Sequence, residues 1–154
     1  MNVNEVRRRS FLLTAALGSG GAFLAASRAD AAEWSQTEKA NVKIVNDFCA
    51  AVSMRDPARV LPFFAVDVVY RPTETTPPIQ GHEALSAAVK RWASTADRME
   101  FRVLETFAVG PIVINRRIDQ FTGGRPMTWE GTGVFFVKDG KIKEWSDYTI
   151  RLER

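Results

Sequence analysis

The chain has 154 residues, 45% hydrophobic and 25% charged, the balance of one globular domain and not of two or of a disordered chain. Its net charge of +3 drops by 2, to about +1, once residues 1–31 are set aside, because they hold Arg7, Arg8, Arg9 and Arg28 against Glu5 and Asp30. A single cysteine, Cys49, excludes an intramolecular disulfide, and a single histidine, His82, excludes a His/Cys metal cluster. Carboxylates do not recur at metal-loop spacing, and no basic tract interleaved with aromatics points to nucleic acid.

The first element is a targeting segment. Arg7-Arg8-Arg9-Ser10-Phe11-Leu12-Leu13 leads into an uncharged run from Leu12 to Ala26, and Ala29-Asp30-Ala31 follows as a small-x-small cleavage pattern. Arg8-Arg9 before Ser10-Phe11-Leu12 resembles a twin-arginine export signal. The alternative is a general secretory signal with a chance arginine pair. A membrane anchor is disfavoured, since the run falls short of a ~20-residue span. The expectation is a signal peptide over 1–31 and a domain over 32–154 that works in the periplasm or outside the cell, with no membrane span after processing.

Within the domain, residues 36–55 have the period of an amphipathic helix, with Val42, Val45, Phe48, Cys49 and Val52 on one face. Cys49 on that stripe reads as a buried thiol, not a nucleophile. Asp56 and Pro57 fit the cap and first position of a second, short helix carrying Val60, Leu61, Phe63 and Phe64. A short strand runs from Val66 to Arg71, and Pro72, Pro77 and Pro78 turn the chain into a loop ending at Gly81. The third helix spans about residues 82–94, with Leu85, Ala88, Val89 and Trp92 as its stripe and His82, in a structural role, at its start.

From Met99 the period changes to two, giving strands over about 99–109, 112–122, 126–138 and 141–153. Gly110-Pro111, Gly123-Gly124 and Asp139-Gly140 break them, the last two as hairpin turns. Trp92, Trp129, Trp145, Phe101, Phe107, Phe135 and Phe136 read as core or pocket wall, and no phosphate-binding glycine loop appears. The order is helix, helix, strand, helix, then a four-stranded antiparallel meander. This is an α+β domain: three N-terminal helices laid on one face of a curved mixed sheet, making a cone with an internal pocket.

Asn115, Arg117 and Asp119 alternate along the second meander strand and share a face with Val113 and Phe121. Ile114, Arg116, Ile118 and Gln120 occupy the other face, and neither is cleanly apolar. On the last strand Asp147 shares a face with Trp145 and Thr149, while Ile142, Tyr148 and Ile150 compete for the interior. Tyr70 shares a face with Val68. On pattern alone, Arg117-x-Asp119 is a solvated pair worth ~0–1 kcal/mol, and Asp147 is a surface aspartate.

Three segments alter that reading. Phe63-Phe64-Ala65-Val66-Asp67-Val68-Val69-Tyr70, then Arg116-Arg117-Ile118-Asp119, and finally Gly140-Lys141-Ile142-Lys143-Glu144-Trp145-Ser146-Asp147-Tyr148 resemble the helix-to-strand junction, the Arg-x-Asp strand and the final strand of limonene-1,2-epoxide hydrolases. The wider resemblance is to the SnoaL-like family of the NTF2-like superfamily, the cystatin-like roll, and runs from about Lys43 to Arg151. It implies an enzyme that adds water to a lipophilic epoxide, giving a diol by concerted acid–base catalysis without a covalent intermediate. Asp147 would be the general base, Asp119 the general acid, Arg117 the group holding both carboxylates, and Tyr70 a ligand of the water. It implies no cofactor and no metal, and a homodimer formed through the exposed face of the sheet.

One position departs from the pattern. The family's second water ligand, an asparagine two residues after the tyrosine, is replaced here by Pro72, with Thr73, Glu74 or Asn115 as possible substitutes. A SnoaL-like or ketosteroid isomerase-like enzyme is the alternative, but its base would fall near Arg71-Pro72, and arginine cannot serve as a base. A non-catalytic domain binding a small ligand is the third reading.

Overall fold

The computed structural model describes residues 33–124 and 126–152. The predicted signal peptide lies outside the described residues. Ser35 opens helix α1 (Gln36–Ala51) with a reciprocal cap: its hydroxyl accepts from the Glu38 N–H while the Glu38 carboxylate accepts from the Ser35 N–H. The other Glu38 oxygen accepts from the N–H of Gly110, and Asn41 donates to the Gly110 carbonyl, so the cap also seats the helix on a distant turn.

The helix is shorter than the sequence period implied. It stops at Ala51, passes through a 3-10 turn over Val52–Met54, and reverses at Arg55, whose φ is 58°. The Arg55 guanidinium secures that reversal by donating to the carbonyls of Ala93 and Asp97. Asp56 then caps α2 (Pro57–Val60), as expected. Strand β1 (Phe64–Arg71) begins two residues before the predicted one. It pairs with β2 (Ile79–Gln80), a two-residue strand in the segment read as loop and too short to show a period. Helix α3 (Gly81–Thr95) follows, and His82 anchors its start on the Phe64 carbonyl at 3.1 Å.

The meander forms as expected from β3 (Arg98–Val109), β4 (Ile112–Thr122), β5 (Met127–Lys138) and β6 (Lys141–Leu152). The sheet order is β2-β1-β6-β5-β4-β3, with β1 parallel to β6 and every other pair antiparallel. Asp139 and Gly140 both take positive φ, 50° and 71°, which the tight β5–β6 turn requires. The competing signals on β6 are resolved by a register shift against β5. Val137 pairs with Ile142 but Phe136 pairs with Glu144, so Ile142 and Trp145 both point inward despite their odd spacing.

Helix α1 packs on β3 and α3 on β1. Between them an aromatic cluster fills the core: Trp145, fully buried, is stacked by Tyr70 at 3.8 Å and by Phe135 at 5.8 Å, with Phe48 edge-on at 5.0 Å. Truncating a side chain packed like this costs ~3–5 kcal/mol. Phe107 does not belong to the core as its aromatic character implied. It is 59% exposed on the outer face of the sheet, paired with exposed Ile114, with Tyr148 and Ile150 on the same face. No helix among the described residues is long and apolar enough to cross a membrane.

Candidate active site

Alternation on β4 puts Val113, Asn115, Arg117, Asp119 and Phe121 on the inner face, all buried. β6 adds Trp145 and Asp147, and β1 adds Tyr70. The pattern-only reading of a solvated Arg-x-Asp pair and a surface Asp147 is therefore overturned, because Arg117 is wholly buried and both carboxylates nearly so. That reading fits the preceding arginine instead: Arg116 lies on the outer face with Glu105 and Glu130.

Arg117 is the hub. Its Nε donates to Asp119 Oδ1 at 2.8 Å, one terminal nitrogen to Asp147 Oδ1 at 2.7 Å, and the other to Asn115 Oδ1 at 3.2 Å. The guanidinium also lies over the Phe101 ring at 4.9 Å and near Trp145 at 5.7 Å. Asp147 receives three donors: Arg117 and the Trp145 indole N–H on Oδ1, both at 2.7 Å, and the Tyr70 hydroxyl on Oδ2 at 3.2 Å. Asp119 receives one side-chain donor, Arg117. All four residues singled out from sequence thus meet in one cluster.

Reaching Asp147 requires Arg117 to cross β5, which lies between β4 and β6. Arg117 pairs with Gly131, and Asp147 with Gly133, so both β5 residues under the bridge lack side chains. A Cβ at Gly133 would sit 2.3 Å from an Arg117 terminal nitrogen. These glycines were not singled out from sequence, although two at alternate positions inside a strand signal a close approach on one face.

Burial dominates the electrostatics. It raises the Asp119 carboxyl to about 6, against the opposing pull of Arg117. It raises Asp147 as well, opposed by Arg117, Trp145 and Tyr70. Burial works against the charge of Arg117, but Asp147 and Asp119 overcome it and hold the guanidinium above its ordinary value. Burial, reinforced by Asp147, keeps the Tyr70 phenol protonated and so a donor. Cys49 is pushed up to about 12 by burial, which removes it as a nucleophile.

None of the three substitutes considered for the missing asparagine hydrogen-bonds to Asp147, whose donors are Tyr70, Arg117 and Trp145. Thr73 is exposed and bonded to Thr76, Glu74 is exposed, and Asn115 is committed to Arg117 and to the Cys49 sulfur. Arg71, at the isomerase-type base position, is exposed and paired with Glu144. A cavity of about 750 Å³ is lined partly by Cys49, Met99 and Phe101, and Phe101 also contacts Arg117, but neither carboxylate lines it. Two grooves of about 340 and 190 Å³ share Thr73, Glu74, Asp147 and Tyr148 in their walls. These two grooves, and not the 750 Å³ cavity, reach Asp147. Among the described residues no group of three or more His, Cys, Asp and Glu is arranged to hold a metal ion.

A model of the SnoaL-like domain matches residues 45–145, the span that contains Tyr70, Arg117 and Asp119 and ends two residues before Asp147. Among solved structures, an LEH-like epoxide hydrolase from M. tuberculosis is similar at 24% identity and a TM-score of 0.66, over 73% of this chain and 84% of that one. A putative SnoaL-like polyketide cyclase from Jannaschia sp. CCS1 is similar at 14% identity and a TM-score of 0.68, over 77% and 90%. A putative polyketide cyclase from Sinorhizobium meliloti is 25% identical with a TM-score of 0.58, over 69% and 94%. The matched span, the six-stranded sheet with its helices and these neighbours agree: the chain belongs to the SnoaL-like domain family of the NTF2-like superfamily.

Proposed function

We propose that the domain, after removal of its export signal, hydrolyses a lipophilic epoxide to a vicinal diol by concerted general acid–base catalysis. The observation that carries this reading is one buried arginine bridging two buried carboxylates that differ in their donors. A guanidinium and two carboxylates carry one excess negative charge, which burial opposes, so the cluster favours one bound proton. Asp147, with three donors, is the better site for the charge. Asp119, with one, is the better site for the proton.

In the reaction, a water held by Tyr70 and Asp147 attacks one epoxide carbon and gives its proton to Asp147. The carbon–oxygen bond breaks as Asp119 protonates the departing oxygen. Arg117 stays charged throughout and keeps the two carboxyl groups in fixed relation. A proton passed from Asp147 to solvent and one taken up by Asp119 reset the pair. The aromatic surroundings, Phe101, Trp145 and Trp92, favour an apolar substrate. The working unit is a homodimer, a state supported by the exposed apolar side chains on the outer sheet face.

Diol formation from a panel of lipophilic epoxides, measured beside Asp147→Asn, tests the proposal. The expected result is turnover that falls by ~10²–10⁴-fold in the variant. A folded domain that binds apolar ligands but opens no epoxide refutes it. Pro72, which offers the water no polar side chain, favours the second reading, a non-catalytic domain that binds a small ligand. Ligand-induced thermal stabilisation without diol formation is the result that reading predicts.

A further inference from the structure

Asn115 is wholly buried, uncharged, and used on both sides of its amide. Its Oδ1 accepts from Arg117 at 3.2 Å, and its Nδ2 donates to the Cys49 sulfur at 3.5 Å. The two contacts together fix the amide's orientation, because only the oxygen can accept from a guanidinium. Arg117 therefore has three arms on three acceptors, of which two are carboxylates and one is neutral. The charged and titratable groups facing this point are Cys49 from α1, Tyr70 from β1, Arg117 and Asp119 from β4, and Asp147 from β6. β3 contributes Phe101 and β5 contributes Gly133, neither of which titrates.

We propose that Asn115, oriented by Cys49, is the positioning residue that locks the guanidinium of Arg117 between the two carboxylates and, by being neutral, limits the cluster to one shared proton. A third carboxylate at this position would compete for the same single cation and draw in a second proton. An apolar side chain would leave one Arg117 terminal nitrogen without its acceptor and free the guanidinium to turn away from one carboxylate. Asn115 thus acts through Arg117, with its amide oxygen on the guanidinium and its amide nitrogen on the Cys49 sulfur. This deepens the acid–base reading above, but its geometry holds whatever the substrate.

The test is ¹³C NMR titration of the Asp119 and Asp147 side-chain carboxyl carbons in the unmodified domain, in Asn115→Asp and in Asn115→Leu, with pH profiles of epoxide turnover run alongside. In Asn115→Asp the Asp119 midpoint should rise by about one pH unit or more. In Asn115→Leu the Asp119 and Asp147 midpoints should change their separation, with kcat falling more than KM rises. Midpoints unmoved in both folded variants would overturn the proposal. If neither variant folds, the unmodified domain decides: the Asn115 side-chain amide protons should exchange slowly and shift through the Asp119 midpoint, and fast exchange or no shift overturns the role. Moved midpoints in a domain that opens no epoxide would refute the hydrolase reading and leave the positioning role standing. Epoxide turnover with unmoved midpoints would do the reverse.

Discussion

Replacing Asp119 by asparagine makes the domain more stable at neutral pH while removing the proposed acid. Asp119 has an ordinary carboxyl pKa of 3.8 when unfolded and about 6 in the folded chain, where it is 5% exposed. The folded state therefore binds more protons between these values, so stability falls as pH rises through the interval. At ~1.4 kcal/mol per pH unit, the full effect is about 3 kcal/mol, most of it between pH 4 and 7. Asparagine keeps an oxygen to accept from Arg117 Nε but carries no charge to desolvate. Urea unfolding at pH 4 and pH 7.5 reads the difference. The unmodified domain should lose about 2–3 kcal/mol more than the variant between the two conditions, and the variant should be the more stable at pH 7.5. Parallel pH dependences, or a variant less stable at pH 7.5, would refute the claim that burial governs this carboxyl.

Other perturbations probe other parts of the account. Gly133→Ala places a methyl group against Arg117 and Phe135, so it should cost ~1–3 kcal/mol of stability by chemical denaturation and more than tenfold in turnover. An equally active, equally stable variant would mean that Arg117 does not need the bare strand. Cys49, 2% exposed and with its thiol at about 12, should react with a thiol reagent only on unfolding, and fast labelling of the native domain would contradict its burial. If the outer face joins two copies, Phe107→Asp with Ile150→Asp should convert a dimer to a monomer in small-angle scattering. A monomer before substitution refutes that interface.

The legible parts of the chain were those where a local period and a burial preference agree. The meander was readable because its breaks are strong turn signals, above all Asp139-Gly140. The first helix was overextended because Val52 continues the apolar stripe, whereas Arg55 reverses the chain through distant carbonyl contacts that no local pattern encodes. The site is harder to read because polar residues occupy an interior face. Arg116 and Arg117 are adjacent and chemically alike, yet one is paired with glutamates outside the sheet and the other is buried among aspartates. Resemblance to a family distinguished them where alternation did not. The glycines of β5 and the third arm of Arg117 depend on cross-strand register, which sequence spacing within one strand does not contain.

Single-turnover hydrolysis of an epoxide in H₂¹⁸O, followed by mass spectrometry of the product and of the peptides carrying Asp119 and Asp147, separates direct hydration from a route through either carboxylate. Attack by a water on Asp147 and Tyr70 puts one ¹⁸O in the diol and none in the carboxylates. Label in the Asp147 or Asp119 carboxylate, or an epoxide left unopened by the folded domain, contradicts an acid–base pair bridged by Arg117 acting directly on water.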